Sequence, residues 1–239
     1  MRSFVLISGL TGLILVVGCG GGKKPQARAY PAPPPIGSSD DDESASANAT
    51  PQVKKNAKPI YTEVGMASWY GPPYHNRKAA NGEIYDMHQL TAAHKTLPLN
   101  SIVRVTNIKT GESVLVRIND RGPFIGDRVI DLSMAAAKQV SVYRAGLAKV
   151  KVEVLSAPAA LDRGGRWCVQ IGAFSDPDEA TKLKSRLSRK YRTAKVIQFS
   201  GPTGEWVRFR AQNDDRERAF TVAKETRVDE GGVFLVRLD

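Results

Sequence analysis

Between residues 102 and 119 apolar side chains recur at every second position, Val103 and Val105, then Val114, Val116 and Ile118, with Lys109-Thr110-Gly111 between the two runs. A period of two sets one face of an extended chain against a core and the other toward solvent. The glycine supplies the positive φ that a tight hairpin needs. This spacing predicts two antiparallel strands and excludes an all-helical fold for the segment. Further short strands are predicted at 64–69, 129–132 and 150–155, with one short helix at 134–140 whose N-cap is Ser133. Many strands, little helix and a closed pattern point to a small β-barrel over residues 60–156.

After a linker at 157–165 the period changes. Strands are predicted at 167–174, 194–199, 205–210 and 232–238, and helices at 177–191 and 214–228. The first helix opens Asp176-Pro177-Asp178-Glu179, an N-cap, a first-turn proline and a Glu three residues after the cap. Ala180, Leu183, Leu187 and Tyr191 then share one face. The expected fold class is mainly β plus α+β, a barrel followed by a small βαββαβ domain at 166–239. Its helices pack on one sheet face, and the other is expected to be free for binding.

The first residues carry one positive charge at Arg2, then an apolar run over 4–17 and small residues up to Cys19. At ~1.5 Å per residue the run is too short for a ~30 Å hydrocarbon core, and its order is that of a signal peptide at 1–19. Leu15-Val16-Val17-Gly18-Cys19 resembles the bacterial lipobox, in which the cysteine is acylated and the mature chain is held by lipid without a spanning helix. Gly20 follows, with no Asp to suggest inner-membrane retention, so an outer-membrane anchor is expected. Residues 20–59 are rich in Gly, Pro, Ala, Ser and Asn, carry an acidic run at 40–43 and have no apolar periodicity. They read as a disordered tether with a reach of about 35 Å. With Cys19 acylated, Cys168 has no internal disulfide partner, and each folded segment must rest on its core.

The net charge of +11 is dispersed, with a similar modest basic excess in each folded segment and no dense basic block. This argues against nucleic acid as partner and suits an anionic envelope polymer or lipid headgroups. No nucleotide loop is present. His75, His88 and His94 show no helical ligand pair, so neither cofactor nor metal is expected.

Polar residues that a barrel core does not need cluster at turns and strand ends. Gly82-Glu83 follows Asn81, and Asn119-Asp120-Arg121-Gly122-Pro123 ends a strand. Cleavage of a glycosidic bond needs a protonated carboxyl to donate to the leaving oxygen and a second group to stabilise charge or deprotonate. Glu83 and Asp120 are candidates, and His94 could orient one of them. Equally, the spacing allows a capping Glu, an Asp paired with Arg117 or Arg121, and a hydrogen-bonded core His.

The strings GMASWYG at 65–71, ANGEIYDMHQLTAAHKTLPLN at 80–100, VRVTNIKTGESVLVRINDRGPF at 103–124 and DRVIDLSMAAA at 127–137 resemble the rare lipoprotein A family nearly without gaps. The resemblance implies a six-stranded double-psi β-barrel and lytic transglycosylation of peptidoglycan. It implies Glu83, Asp120 and His94 as site residues: Asp120 as general acid and then base, Glu83 positioning or stabilising, His94 tuning a carboxylate by a hydrogen bond. Before ANGE the sequence departs from the family, reading Tyr74-His75-Asn76-Arg77-Lys78-Ala79. The C-terminal segment, through Trp167-Cys168-Val169-Gln170-Ile171-Gly172-Ala173-Phe174, is similar to the sporulation-related repeat, which binds glycan strands stripped of stem peptides. Its expected sheet-face contacts are Gln170, Trp206 and Arg208. The resemblance thus implies a lipid-anchored endolytic enzyme on denuded peptidoglycan strands, enriched at the division septum. The alternative is a non-catalytic wall-binding or wall-loosening lipoprotein.

Overall fold

The computed structural model describes residues 57–201 and 203–239. The expected signal peptide, Cys19 lipidation and nearly all of the tether lie outside the described residues. Among the described residues, ten strands and four helices form two units. The first holds β1 (Tyr61–Tyr70), β2 (Thr91–His94), β3 (Ile102–Asn107), β4 (Ser113–Asp120), β5 (Arg128–Ser133), the short helices α1 (Met134–Gln139) and α2 (Val142–Ala145), and β6 (Ala148–Ser156). Its strands close into a barrel in the order β1-β5-β2-β4-β3-β6. Two pairs are parallel, β1 with β5 and β2 with β4, and the others antiparallel.

The alternating valines explain the closure. Val103, Val105, Val114, Val116, Ile118, Ile130, Leu132, Val150, Val152 and Val154 are all buried in one cluster. Each removes an aliphatic side chain from water, a gain of about 1.5–3 kcal/mol. Gly111 takes φ +77° in the β3–β4 hairpin, and the Ser133 hydroxyl caps α1 by accepting from the Ala136 amide. Strand β2 is not legible in the sequence: all four of its residues are buried, so it shows no alternation.

The second unit is a four-stranded sheet, order β10-β7-β9-β8, made of β7 (Trp167–Phe174), β8 (Lys195–Gly201), β9 (Gly204–Arg210) and β10 (Gly232–Arg237). The helices α3 (Pro177–Lys190) and α4 (Arg216–Glu225) pack on one face. Asp176 caps α3 by accepting from the Asp178 amide. The second helix begins later than the periodicity suggests, because Gln212–Asp214 forms a separate 3-10 turn with Asn213 at positive φ.

The expectation of a free sheet face does not hold. Phe124, from the barrel loop after β4, meets the rings of Trp206 and Phe234 at 5.9 and 5.5 Å. The Arg237 amide donates to the Lys95 carbonyl at 3.0 Å, and the Leu99 amide to the Asp239 carbonyl at 3.2 Å. The physical reason is β10, whose Phe234 and Val236, with Leu238 just after it, lie on the face opposite Val233 and Leu235. A strand that is apolar on both faces needs cover on both.

Candidate active site

Strand β4 carries its apolar alternation as far as Ile118 and then turns polar. At its end Asp120 is 9% exposed. Its Oδ1 accepts from the Ala80 amide at 3.0 Å and from the Arg121 amide at 2.8 Å. Oδ2 accepts no hydrogen bond from any described residue and is not fully enclosed. Burial disfavours the charged form and, against the two amides and the Arg121 charge, pushes the carboxyl up to about 6. This is a carboxyl fixed by one oxygen, with the other open, and half protonated at a mildly acidic pH.

The loop that carries Glu83 is folded against the same strand end. The Asn81 amide donates to the Asn119 carbonyl at 3.1 Å, one residue from Asp120, while the Asn81 side chain accepts from the Glu83 amide. The Glu83 carboxylate is gripped by Arg117 of β4, Nη1 to Oε1 at 3.0 Å and Nη2 to Oε2 at 2.9 Å. Such a bidentate pair fixes both oxygens in a plane. The structure therefore brings Glu83 and Asp120 to one end of one strand, with both Glu83 oxygens bonded to Arg117 and the Asp120 Oδ2 left without a hydrogen bond.

His94 is placed otherwise. Its ring is buried, and Nε2 lies 2.6 Å from Oε1 of Glu63, while Nδ1 accepts from the Thr96 and Leu97 amides at 3.1 and 3.0 Å. Two backbone donors on Nδ1 leave the proton on Nε2, so the ring is neutral and donates to Glu63. Burial lowers its proton affinity in the same sense. Burial alone would raise Glu63, but the hydrogen bond and charges around it bring it below the usual value. His94 thus meets neither Glu83 nor Asp120, correcting the expectation that it tunes one of them. It sits one residue past Ala93, and strand alternation turns it away from Asp120. Its link to the site runs through the turn it pins, because the His94 and Leu97 carbonyls accept from Arg121 Nη1 at 3.0 and 2.7 Å.

Sequence reasoning missed other buried polar groups that lie beside these acids. Paired residues across neighbouring strands share a face, and the register aligns Ser68, Asp131, Ala93 and Asp120 in one rank across β1, β5, β2 and β4. Asp131 is 9% exposed. Its Oδ1 accepts from Ser68 Oγ at 2.7 Å and its Oδ2 from Arg128 Nη2 at 3.3 Å. Burial raises it, against the pull of Arg128, Ser68 and Lys95. Tyr70, Tyr74 and Tyr85 pack over Ala93, with the Tyr70 and Tyr85 rings stacked at 4.4 Å. The Tyr70 hydroxyl is buried and approaches Thr91 without a well-directed hydrogen bond. An acid inside the apolar run Val129-Ile130-Asp131-Leu132 was the available signal.

The loop after Asp120 reaches the C-terminal unit. Arg121 Nη2 donates to the Asp239 carbonyl at 2.7 Å. Gly122 takes φ +145°, a conformation that L side chains rarely adopt, and Phe124 follows. Gln170, Trp206 and Arg208 lie on the sheet face turned away from α3 and α4, but they are 0%, 2% and 5% exposed. Arg208 donates to Gln170 Oε1 at 2.9 Å and covers the Phe199 ring. The structure gathers these three on one face and buries them there. The Cys168 thiol is also buried, and burial pushes it up to about 11, consistent with a small core residue.

Residues 62–152 match the family described as lytic transglycolase, and residues 164–237 match the SPOR domain. The chain is 37% identical over 205 residues to the endolytic peptidoglycan transglycosylase RlpA of Campylobacter jejuni, covering 74% of this chain and 72% of that one. With the protein of the same name from Neisseria meningitidis serogroup B it shares 52% identity over 141 residues, 57% of this chain and 58% of that one. With that of Pseudomonas aeruginosa it shares 62% over 93 residues, 39% of this chain but only 27% of the other. Together with the closed six-stranded barrel and the second sheet, these matches show that the chain belongs to the rare lipoprotein A family.

Proposed function

We propose that the chain is an endolytic lytic transglycosylase that cleaves the bond between N-acetylmuramic acid and N-acetylglucosamine in peptidoglycan, with Asp120 as its acid and base. The observation that carries this reading is the Asp120 carboxyl, with Oδ1 pinned by two amides, Oδ2 open, and proton affinity raised into the range where a general acid works. In the reaction Asp120 gives its proton to the glycosidic oxygen as the bond from the muramic anomeric carbon breaks. The muramic 6-hydroxyl oxygen bonds to that carbon, and its proton passes to the Asp120 carboxylate. The products are a new non-reducing end and a 1,6-anhydro end, no water is consumed, and the acid is regenerated. Glu83, bound through both oxygens to Arg117, serves as a fixed negative charge near the developing oxocarbenium. The names carried by the relatives support the same activity.

In this reading the C-terminal unit holds denuded strands and directs the protein to the septum, and Cys19 anchors it by lipid in the outer membrane. Buried as they are, Gln170, Trp206 and Arg208 meet a glycan only once the sheet lifts away from Phe124. The Gln170 Nε2, enclosed without a partner, is a donor that the docked arrangement leaves unused, at a cost of about 1–3 kcal/mol. Digesting purified peptidoglycan with and without stem peptides and analysing the products by mass spectrometry tests the activity. Anhydro-ended fragments from the wild type and none from Asp120→Asn are expected, with more from denuded strands. Hydrolysed reducing ends, or undiminished product from the variant, would refute it.

A further inference from the structure

Asp131 is a buried carboxyl to which the proposed reaction gives no task. It stands in the same cross-strand rank as Asp120, with Ala93 as the one residue between them in that rank and Tyr70 and Tyr85 packed over it. Two strand spacings put the α-carbons of the two acids about 10 Å apart, and Tyr70, enclosed beside them, feels the charge of both.

The partners of the two acids differ in kind. Asp131 is held by Ser68 and Arg128, and Arg128 Nη1 in turn donates to Ser68 Oγ at 2.7 Å. Lys95 reaches the same corner, its ammonium donating to the Arg128 carbonyl at 2.6 Å. Asp120 has two backbone amides, and the neighbouring Arg121 guanidinium is turned to the carbonyls of His94, Leu97 and Asp239. The charged or titratable groups around the pair are therefore Tyr70 from β1, Lys95 after β2, Arg121 after β4, Arg128 from β5, and Tyr85 from the loop before β2. Arg128, Lys95 and the Ser68 hydroxyl favour the charged form of Asp131 against the burial that raises it, whereas Asp120 has its two amides and the more distant pull of Arg121. An anion at Asp131 adds to the burial that raises Asp120.

We propose that Asp131 is a positioning residue whose carboxylate, clamped by Arg128 and Ser68, keeps the proton on Asp120 until substrate arrives. The proposal rests on the transglycosylase reading for its purpose, but the coupling itself is measurable without turnover. At about 10 Å and an effective dielectric near 20, one charge moves its neighbour by about one pH unit.

Carboxyl-carbon NMR titration of the full chain tests it. In the wild type Asp131 should ionise at lower pH than Asp120, and the opposite order would overturn the proposal without any variant being made. In Asp131→Asn the Asp120 midpoint should fall by about one unit, and the alkaline limb of kcat/KM on peptidoglycan should move down with it. An unmoved Asp120 midpoint in folded Asp131→Asn, or activity scaled down equally at every pH, would reduce Asp131 to a structural group. A shifted midpoint in a protein that releases no anhydro ends would leave the coupling standing and sink the transglycosylase reading instead.

Discussion

Replacing Asp120 by Asn should stabilise the protein while abolishing its activity, and the gain should depend on pH. Asparagine keeps an Oδ1 to accept from the Ala80 and Arg121 amides, and its uncharged amide group takes the place of the open Oδ2. What it removes is a charge that burial opposes. The native carboxyl is raised from 3.8 to about 6. A raised native value contributes stability that is fully present below pH 3.8, where both states are protonated, and is lost as pH rises through about 6. Roughly two pH units at 1.36 kcal/mol each make the loss about 3 kcal/mol at pH 8. With Asp120 only 9% exposed, solvent screening trims this modestly. For a folded region of this size 1 kcal/mol moves Tm by about 2–4 °C, so Asp120→Asn should melt about 5–10 °C higher at pH 8. At pH 4 it should match the wild type. Urea or thermal unfolding at the two pH values measures the difference. A variant less stable at pH 8, or a gain equal at both, would refute the account of a desolvated acid.

The same carboxyl sets a rate profile: kcat/KM should fall about tenfold per unit above pH 6, and a flat profile to pH 8 would contradict a proton on Asp120. His94→Ala should destabilise by about 2–4 kcal/mol, since it strands two amides and Glu63; wild-type stability at pH 7 after that change would refute the pinned turn. Because the His94 native value is depressed, its contribution is full above pH 6.5 and lost as pH falls through the lowered value, which denaturation from pH 7 to 5 measures against His94→Gln. Phe124→Ala should loosen the contact between the units, seen as faster amide exchange in β10 and tighter binding of denuded glycan; unchanged exchange would argue against the docked face.

How far the sequence discloses this molecule depends on whether a residue serves one face or two. The β3–β4 hairpin and the capped α3 were legible because alternation, or a 3.6-residue repeat, records a single buried face. Strand β2 was not, since Thr91, Ala92, Ala93 and His94 are all enclosed and look like a motif rather than a strand. Strand β10 carries apolar residues on both faces, a sign of a covered outer face that the reading of that face as free did not use. At the candidate site, Asp120 and Glu83 were legible as acids at a strand end and a turn, and the family resemblance pointed to them. Spacing could not reveal that Arg117 occupies both oxygens of Glu83, or that His94 turns to Glu63. Asp131 went unnoticed because Ser68, which donates to it, lies 63 positions away, and Asp120 is aligned with it only through the register of β2.

The most direct measurement is a crystal structure of Asp120→Asn with a bound glycan oligosaccharide spanning the cleavage point. The account predicts the side-chain nitrogen of the introduced asparagine at about 3 Å from the glycosidic oxygen, with Glu83 still paired to Arg117. A sugar chain whose scissile oxygen lies against Glu83, or away from both acids, would contradict it.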